Sequence, residues 1–456
     1  MLRLAIPRAA EPLVRDLAAA FTRPTLGRFQ VLMCGLIVTM GRRTVSHTLV
    51  SIMPLMHGHW CDYHRVYSWA RIRMWELSAA LVRQVIALVP SHAPIVLIAD
   101  ETVDGKEGNH VWGKGTHRDP IRSSRKKDQV KFGHQWLVLC VLVWLPGIAR
   151  AWALPVMCGL CISPKVAGKV GRRPKVASQL TRQMLILLMR RLPGRRFILL
   201  GDYKVVTHKT ACFAHRHAGQ VTVVGRLRGD ANLYDPPRPR RHGGKRFKKG
   251  RKLPSPARQV KRHRPRREEV AWYGSSRRVV AHVSQTALWF NKHSTHTVPI
   301  RWVCVQADPG GGVKRNDYSD YFYSTDTTLP AARIIELYAL RWNIEVTFEE
   351  ARALLGLETT RHWCRRSVLR VTPILFGLFT AVTLLWHRLP EGKKRRLLSQ
   401  TPCYRKTAAT FADALFAVRR ELWQHCLLRH HAATRCLGSL PRPLRETLLW
   451  HLSAAA

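Results

Sequence analysis

The chain has 456 residues, 46% of them hydrophobic and 23% charged, which supports a buried core and excludes a disordered polyelectrolyte. Lys and Arg number 76 against 28 Asp and Glu, a formal net charge of +48, so a polyanionic partner is expected, nucleic acid first. The eleven cysteines are scattered, and the lone C-x2-C of Cys158 and Cys161 lacks the second ligand pair that a zinc site there needs, so reduced thiols are expected.

Residues 1–92 carry apolar residues at three-and-four spacing, broken at Pro24, Gly41 and Gly58, and predict a helical unit. Its Arg42, Arg43, Arg65, Arg71 and Arg73 suit a DNA-end-binding head, although no helix-turn-helix signature is visible. From Pro94 the texture changes. "PIVLIADET" predicts an apolar strand ending at Asp100, followed by two buried strands, "GHQWLVLCVLVWL" and "ARAWALPVMCGLCIS". A basic helix over about 175–192 leads into "RRFILLGDYKV", a second apolar strand ending in an acid, Asp202. A short helix near 208–218 and the strand "QVTVVGRLRGDANL" complete an α/β layer with a mixed sheet over 93–234.

Residues 235–329 read as a strand-rich insertion. It opens with 236–267, which holds fifteen Lys or Arg and no acid, a composition that buries no core and tracks a phosphate backbone. Arg246, Lys248, Lys249, Arg251 and Lys252 are its candidate DNA contacts. Strands follow at "RRVVAHVSQTALWF", "HTVPIRWVCVQAD" and "YSDYFYSTD", and Trp272, Trp289 and Trp302 of the insertion are candidates to stack on an extruded base. Residues 330–390 and a helical region, 391–456, close the chain. The apolar runs at 136–147 and 371–386 read as a buried strand and a buried helix, the first too short to span a bilayer of about 30 Å, the second interrupted by Pro373 and Gly377.

"YALRWNIEVTFEEAR", 338–352, predicts one helix over 330–355, with Thr328 as cap, Pro330 in the first turn and Gly356 as stop. At about 100° per residue, Tyr338, Arg341, Glu345 and Arg352 share one stripe. Together with Asp100 and Asp202, Glu345 makes a set of three carboxylates on an α/β scaffold. Such a set suits two divalent cations about 3.5–4 Å apart and phosphodiester chemistry, and hard oxygen ligands are what Mg²⁺ takes. Glu101, Asp104 and Glu349 compete for these roles. Asp100 is favoured because it directly follows the apolar run, whereas Asp104 precedes a glycine as turn residues do; the Tyr/Arg register favours Glu345.

The order strand-Asp, strand-Asp, helix-Glu, with Y-x2-R-x3-E-x6-K on the helix, resembles the DDE transposases of bacterial insertion sequences, members of the RNase H-like superfamily. Arg352 stands at the lysine position, a departure that replaces a point charge with a fork. The acids lie 102 and 143 residues apart, the longer gap accommodating the insertion that similar transposases carry. The resemblance implies an RNase H-like catalytic core with a strand-rich insertion, flanked by N- and C-terminal helical regions. It implies Asp100, Asp202 and Glu345 as catalytic residues and ligands of two Mg²⁺ (or Mn²⁺) ions, with Tyr338, Arg341 and Arg352 holding DNA. It further implies double-stranded DNA as partner (element ends and target), a homodimer in the DNA complex, no membrane, and a bacterial cytoplasmic, nucleoid-associated location. Two other expectations stand beside it: a repurposed DNA-binding protein without catalysis, and a structure-specific nuclease of the same fold.

Overall fold

The computed structural model describes residues 7–119, 123, 128–237, 248–292, 294, 296–306, 320–398, 400–401, 403–424 and 440–453. Five helices lead: α1 Glu11–Leu17, α2 Arg23–Val38, α3 Val45–Ser51, α4 Trp60–Ser68 and α5 Met74–Ile86. Eleven strands then build one sheet: β1 Ile95–Gly105, β2 Gly115–Arg118, β3 Val130–Val143, β4 Trp152–Cys161, β5 Phe197–Gly201, β6 Val221–Arg226, β7 Asn232–Tyr234, β8 Arg266–Ala271, β9 Arg277–Phe290, β10 Thr297–Gln306 and β11 Asp320–Ser324. Among and after them come α6 Pro164–Val170, α7 Ala177–Arg191, α8 His208–Arg216, α9 Pro256–Val260, α10 Ala331–Ala339, α11 Asn343–Leu355, α12 Arg365–His387, α13 Glu391–Arg396, α14 Phe411–Leu422 and α15 Arg442–Ser453.

The heart of the sheet runs β4–β3–β1–β5–β6. β4, β3 and β1 are antiparallel neighbours; β5 and β6 run parallel to β1, with α7 and α8 as the crossovers. Three antiparallel strands followed by two parallel ones make an RNase H-like core. The unbroken apolar run of β3 follows from its central place: from Trp136 to Val143 every residue is buried, as a strand covered on both faces requires.

The insertion is not a separate lobe. β11 pairs antiparallel with β6 (Phe322↔Arg226, Tyr323↔Gly225, Ser324↔Val224), and β10, β9 and β7 continue the same sheet. This seam needs Gly225, because a Cβ there would lie 2.1 Å from the Val206 side chain in the turn that follows Asp202.

The helical regions share one core. α12 packs on β4, α4, α5 and α14, and one continuous set of buried apolar side chains runs from Ala10 to Leu422. The N-terminal helices are therefore part of the body, not a free head, and Arg43 is a structural residue. It is buried, donating to the carbonyls of Leu36 and Gly41. α12 is long and apolar enough to cross a membrane, yet 78% of its most apolar window is buried inside the protein.

Candidate active site

β1 corrects the sequence reading first. Asp100 does not end the strand, because pairing with β3 continues through Gly105. Side chains alternate along it, so Asp100, Thr102 and Asp104 share a face. Each is held by the helical segment beyond the insertion: Asp100 by Arg341, Thr102 by Arg352, Asp104 by Thr372. Asp104 is no turn residue. It is fully buried, ion-paired with Lys106 at 3.0 Å and accepting from Thr372 at 2.8 Å. Glu101 alternates to the other face, where the Cys161 thiol donates to it.

Asp202 directly follows β5, as expected. Ala99 pairs with Gly201 across the parallel β1–β5 ladder, so Asp100, within β1, and Asp202, just past the end of β5, lie side by side. The Oδ1 atom of Asp202 accepts from the backbone N–H of Lys204 (2.8 Å) and Val205 (3.2 Å), fixing the carboxylate on its turn.

The helix predicted over 330–355 is two helices. A 3₁₀ turn, Leu340–Trp342, separates α10 from α11; Pro330 is the N-cap position, and the Thr328 hydroxyl donates to Asp326 instead of capping. Gly356 does end α11, in the left-handed region at φ 64°. Glu345 lies in the first turn of α11, and Arg341 in the 3₁₀ turn just before it. The guanidinium joins the acids: Nη1 donates to Asp100 Oδ2 at 2.5 Å and Nη2 to Glu345 Oε1 at 2.6 Å. Arg341 and Asp100 are each 15% exposed, Glu345 35%; the Nε of Arg341 is buried with no acceptor. Glu349, the rival carboxylate, is exposed one turn further on.

Burial pushes the Asp100 carboxyl up to about 6; Arg341 opposes this, while Asp202 and Glu345 add to it. Three carboxylates are thus crowded until they repel, with one guanidinium as internal counter-charge. This donor set, hard oxygens with excess negative charge at a half-open position, fits a divalent cation.

The other predicted contacts fall elsewhere. Tyr338 is buried against Phe322 (ring centroids 4.3 Å apart), with Arg341 5.7 Å from its ring, so it braces the arginine and does not face a DNA backbone. Arg352 is engaged by the protein while partly exposed: Nε donates to Glu358 at 3.0 Å and Nη2 to Thr102. Of the basic segment, Arg246 lies outside the described residues. Lys249 sits over the Tyr234 and Phe290 rings at 4.2 and 3.9 Å, and Arg251 pairs loosely with Asp235. Lys252 bridges Tyr234, while Lys248 is exposed and its carbonyl accepts from Thr297. Part of the expected loop is therefore folded onto β7.

Trp302 is fully buried, and Trp289 packs on His208 and Tyr323, which removes both as base-stacking platforms. Three exposed tryptophans beside basic residues were not singled out by the sequence: Trp342 next to Arg341, and Trp69 and Trp363, the latter two at 72% and 67% exposure and lining a groove of about 980 Å³ with Arg361, Arg365 and Arg366. Their signal was adjacency to arginine, as in "ALRW" and "RHWCRR".

Two families match the sequence. One described as DDE superfamily endonuclease matches residues 16–279, covering Asp100 and Asp202; one described as transposase DDE domain matches 182–382, covering Asp202 and Glu345. No curated protein matches the sequence. Among solved structures the chain is similar to a piggyBac transposase in a synaptic complex with hairpin DNA, at 11% identity and a TM-score of 0.44, over 99% of this chain and 84% of that one.

Proposed function

Because this chain belongs to the DDE superfamily of endonucleases and is a DNA transposase, we propose that Asp100, Asp202 and Glu345 are its catalytic carboxylates. We further propose that it cuts at the ends of an insertion sequence and joins them to target DNA. One observation carries this reading: of acids 102 and 143 residues apart, Asp100 and Glu345 are joined through Arg341, and Asp202 on the neighbouring strand adds its charge at Asp100.

Enzymes of this class generally use divalent metal ions, and here a pair of Mg²⁺ or Mn²⁺ ions held by Asp100, Asp202 and Glu345 would supply Lewis acidity and a more acidic water. The chain's own residues set the stage. Rigid ladder pairing fixes Asp100 between β3 and β5, and two backbone N–H groups fix Asp202. Arg341 keeps Asp100 and Glu345 oriented when no cation is present, and Tyr338 limits how far the guanidinium can swing. Attack of water on the phosphorus at the element's end breaks the P–O3′ bond, leaving a 3′-OH on one fragment and a 5′-phosphate on the other. That 3′-OH then attacks a target phosphodiester, forming one P–O bond as another breaks, so no covalent protein–DNA link is needed.

Double-stranded DNA is the proposed partner, held by the charge excess, by the exposed basic residues Lys248, Arg251 and Lys252, and by the groove beside Trp69 and Trp363. A homodimer bridging two element ends and a nucleoid-associated location complete the proposal. The test is cleavage of a labelled duplex carrying the element's terminal sequence, with Mg²⁺ or Mn²⁺. Asp100→Asn, Asp202→Asn and Glu345→Gln should each abolish cutting and leave duplex binding within about twofold, since each removes an oxygen ligand and no phosphate contact. Normal cutting by any of the three would refute the assignment of that residue.

A further inference from the structure

A second polar cluster lies on the same face of β1, beneath the surface. Asp104 on β1, His134 on β3 and His362 in the loop between α11 and α12 bring one ligand atom each to within 4.8 Å of one another, and all three residues are buried. The strands come this close because residue 133 is glycine: a Cβ there would sit 2.1 Å from the Asp104 carbonyl oxygen.

The hydrogen bonds leave this cluster incomplete. His134 Nε2 meets the Trp112 carbonyl at 2.8 Å, and a carbonyl only accepts, so Nε2 carries the proton and Nδ1 presents a bare lone pair. That Nδ1 is buried without a partner, and so are both ring nitrogens of His362. Buried polar atoms left without a partner are destabilising, so a ligand that satisfies them is favoured. A histidine whose second nitrogen donates to a backbone carbonyl is oriented as metal-ligating histidines are.

We propose that Asp104, His134 and His362 form a structural site for a divalent transition ion of the zinc class, separate from the catalytic carboxylates. Nitrogen and oxygen donors of this kind suit Zn²⁺, whose ligands sit about 2.0–2.1 Å from the ion. His362 lies in a loop, the member of the trio best placed to move as the ligands close on the ion. Lys106 is the competitor. Its ammonium lies 3.0 Å from Asp104 Oδ1 and 3.3 Å from the Thr360 carbonyl, and the ion displaces it toward Thr360. The bound ion ties β1 and β3 to the segment carrying Glu358, which itself holds Arg352 and Lys131.

The test uses the full chain, stripped with a chelator, reloaded with Zn²⁺, desalted and measured by elemental analysis, with Co²⁺ loading read by visible absorption. Wild type and Asp100→Asn should retain about one ion per chain more than His362→Gln or His134→Gln. Co²⁺ should give the intense absorption of a low-symmetry four-coordinate site in wild type. Lys106→Met should bind several-fold more tightly. Equal metal content in wild type and in both histidine variants, together with only the pale spectrum of hydrated Co²⁺ in wild type, would overturn the proposal and leave Lys106 as the cluster's sole cation. The Co²⁺ spectrum of wild type decides the matter even if a histidine variant fails to fold, and loss of zinc from Asp100→Asn would show that the metal belongs to the catalytic acids.

Discussion

Replacing Asp100 with Asn should make the metal-free protein more stable while destroying its activity. Asp100 is 15% exposed and titrates at about 6 in the folded state, against 3.8 for an unperturbed carboxyl. A folded-state pKa above the unfolded one means the native state binds the proton more tightly, so ionising Asp100 costs stability. That cost is absent below about pH 4, grows as pH rises through 6, and is fully present at pH 7.5. Two units at 1.36 kcal/mol each put it at about 3 kcal/mol, an upper bound because Arg341 also loses a partner in the variant. A net gain of about 1–3 kcal/mol at pH 7.5 is expected. The assay is urea unfolding of both proteins in chelator at pH 7.5, 5.5 and 4.5. Asp100→Asn should show the higher midpoint at pH 7.5, and the gap should shrink to about a third by pH 4.5. Mg²⁺ should raise the wild-type midpoint and leave the variant nearly unmoved. An Asn variant less stable than wild type at pH 7.5, or a gap indifferent to pH, would refute the picture of an acid strained by its neighbours.

Glu345→Gln should abolish end cleavage while Glu349→Gln leaves it near wild type, because Glu345 alone of the two bonds Arg341; the opposite pattern in a cleavage gel would mean that the wrong carboxylate was chosen. Arg352→Ala should lower stability by about 1 kcal/mol, a value discounted for the partial exposure of the Glu358 pair, and Arg352→Lys should recover only part of it. Unchanged melting with weakened DNA affinity would instead make Arg352 a phosphate-binding residue. Neutralising Lys248, Arg251 and Lys252 together should flatten the slope of log affinity against log salt by about 0.9 for each phosphate that these side chains neutralise in the wild type, measured by fluorescence anisotropy; an unchanged slope would remove them from the DNA path.

Much of the site was legible because strand ends and helix stripes leave local marks. "ILLGD" placed Asp202 correctly, and the Tyr338–Arg341–Glu345 register identified the carboxylate that meets Asp100 through Arg341. What failed locally was punctuation. "DETVDG" looks like a turn, yet it is strand: Asp100 is paired with Arg341, more than 200 positions away, and Asp104 is paired with Lys106 and accepts from the equally distant Thr372 hydroxyl. No helical periodicity reveals the 3₁₀ turn at Leu340–Trp342, since the residues on both sides keep the same spacing. The partners that Arg341 and Arg352 find within the protein were hidden for the same reason: a basic side chain on a stripe does not say which acid of the chain will take it. The Asp104–His134–His362 cluster was invisible, its members being scattered across strands and a loop.

The way β11 is sewn onto β6 bears on how a ribosome-bound chain acquires this fold. The seam joins residues 224–226 to 322–324, and α12, against which the first helices pack, begins only at Arg365. Until those later segments have left the ribosome, α4 and α5 have no α12 to cover their apolar faces, and β6 has an open edge. Contacts so distant in sequence are slow to form. A message truncated before residue 365 should therefore yield a sticky fragment, bound by chaperones or cleared by proteases, and never a partly active nuclease. Because Glu345 emerges after both aspartates, the proposed trio of carboxylates cannot assemble until three-quarters of the chain exists.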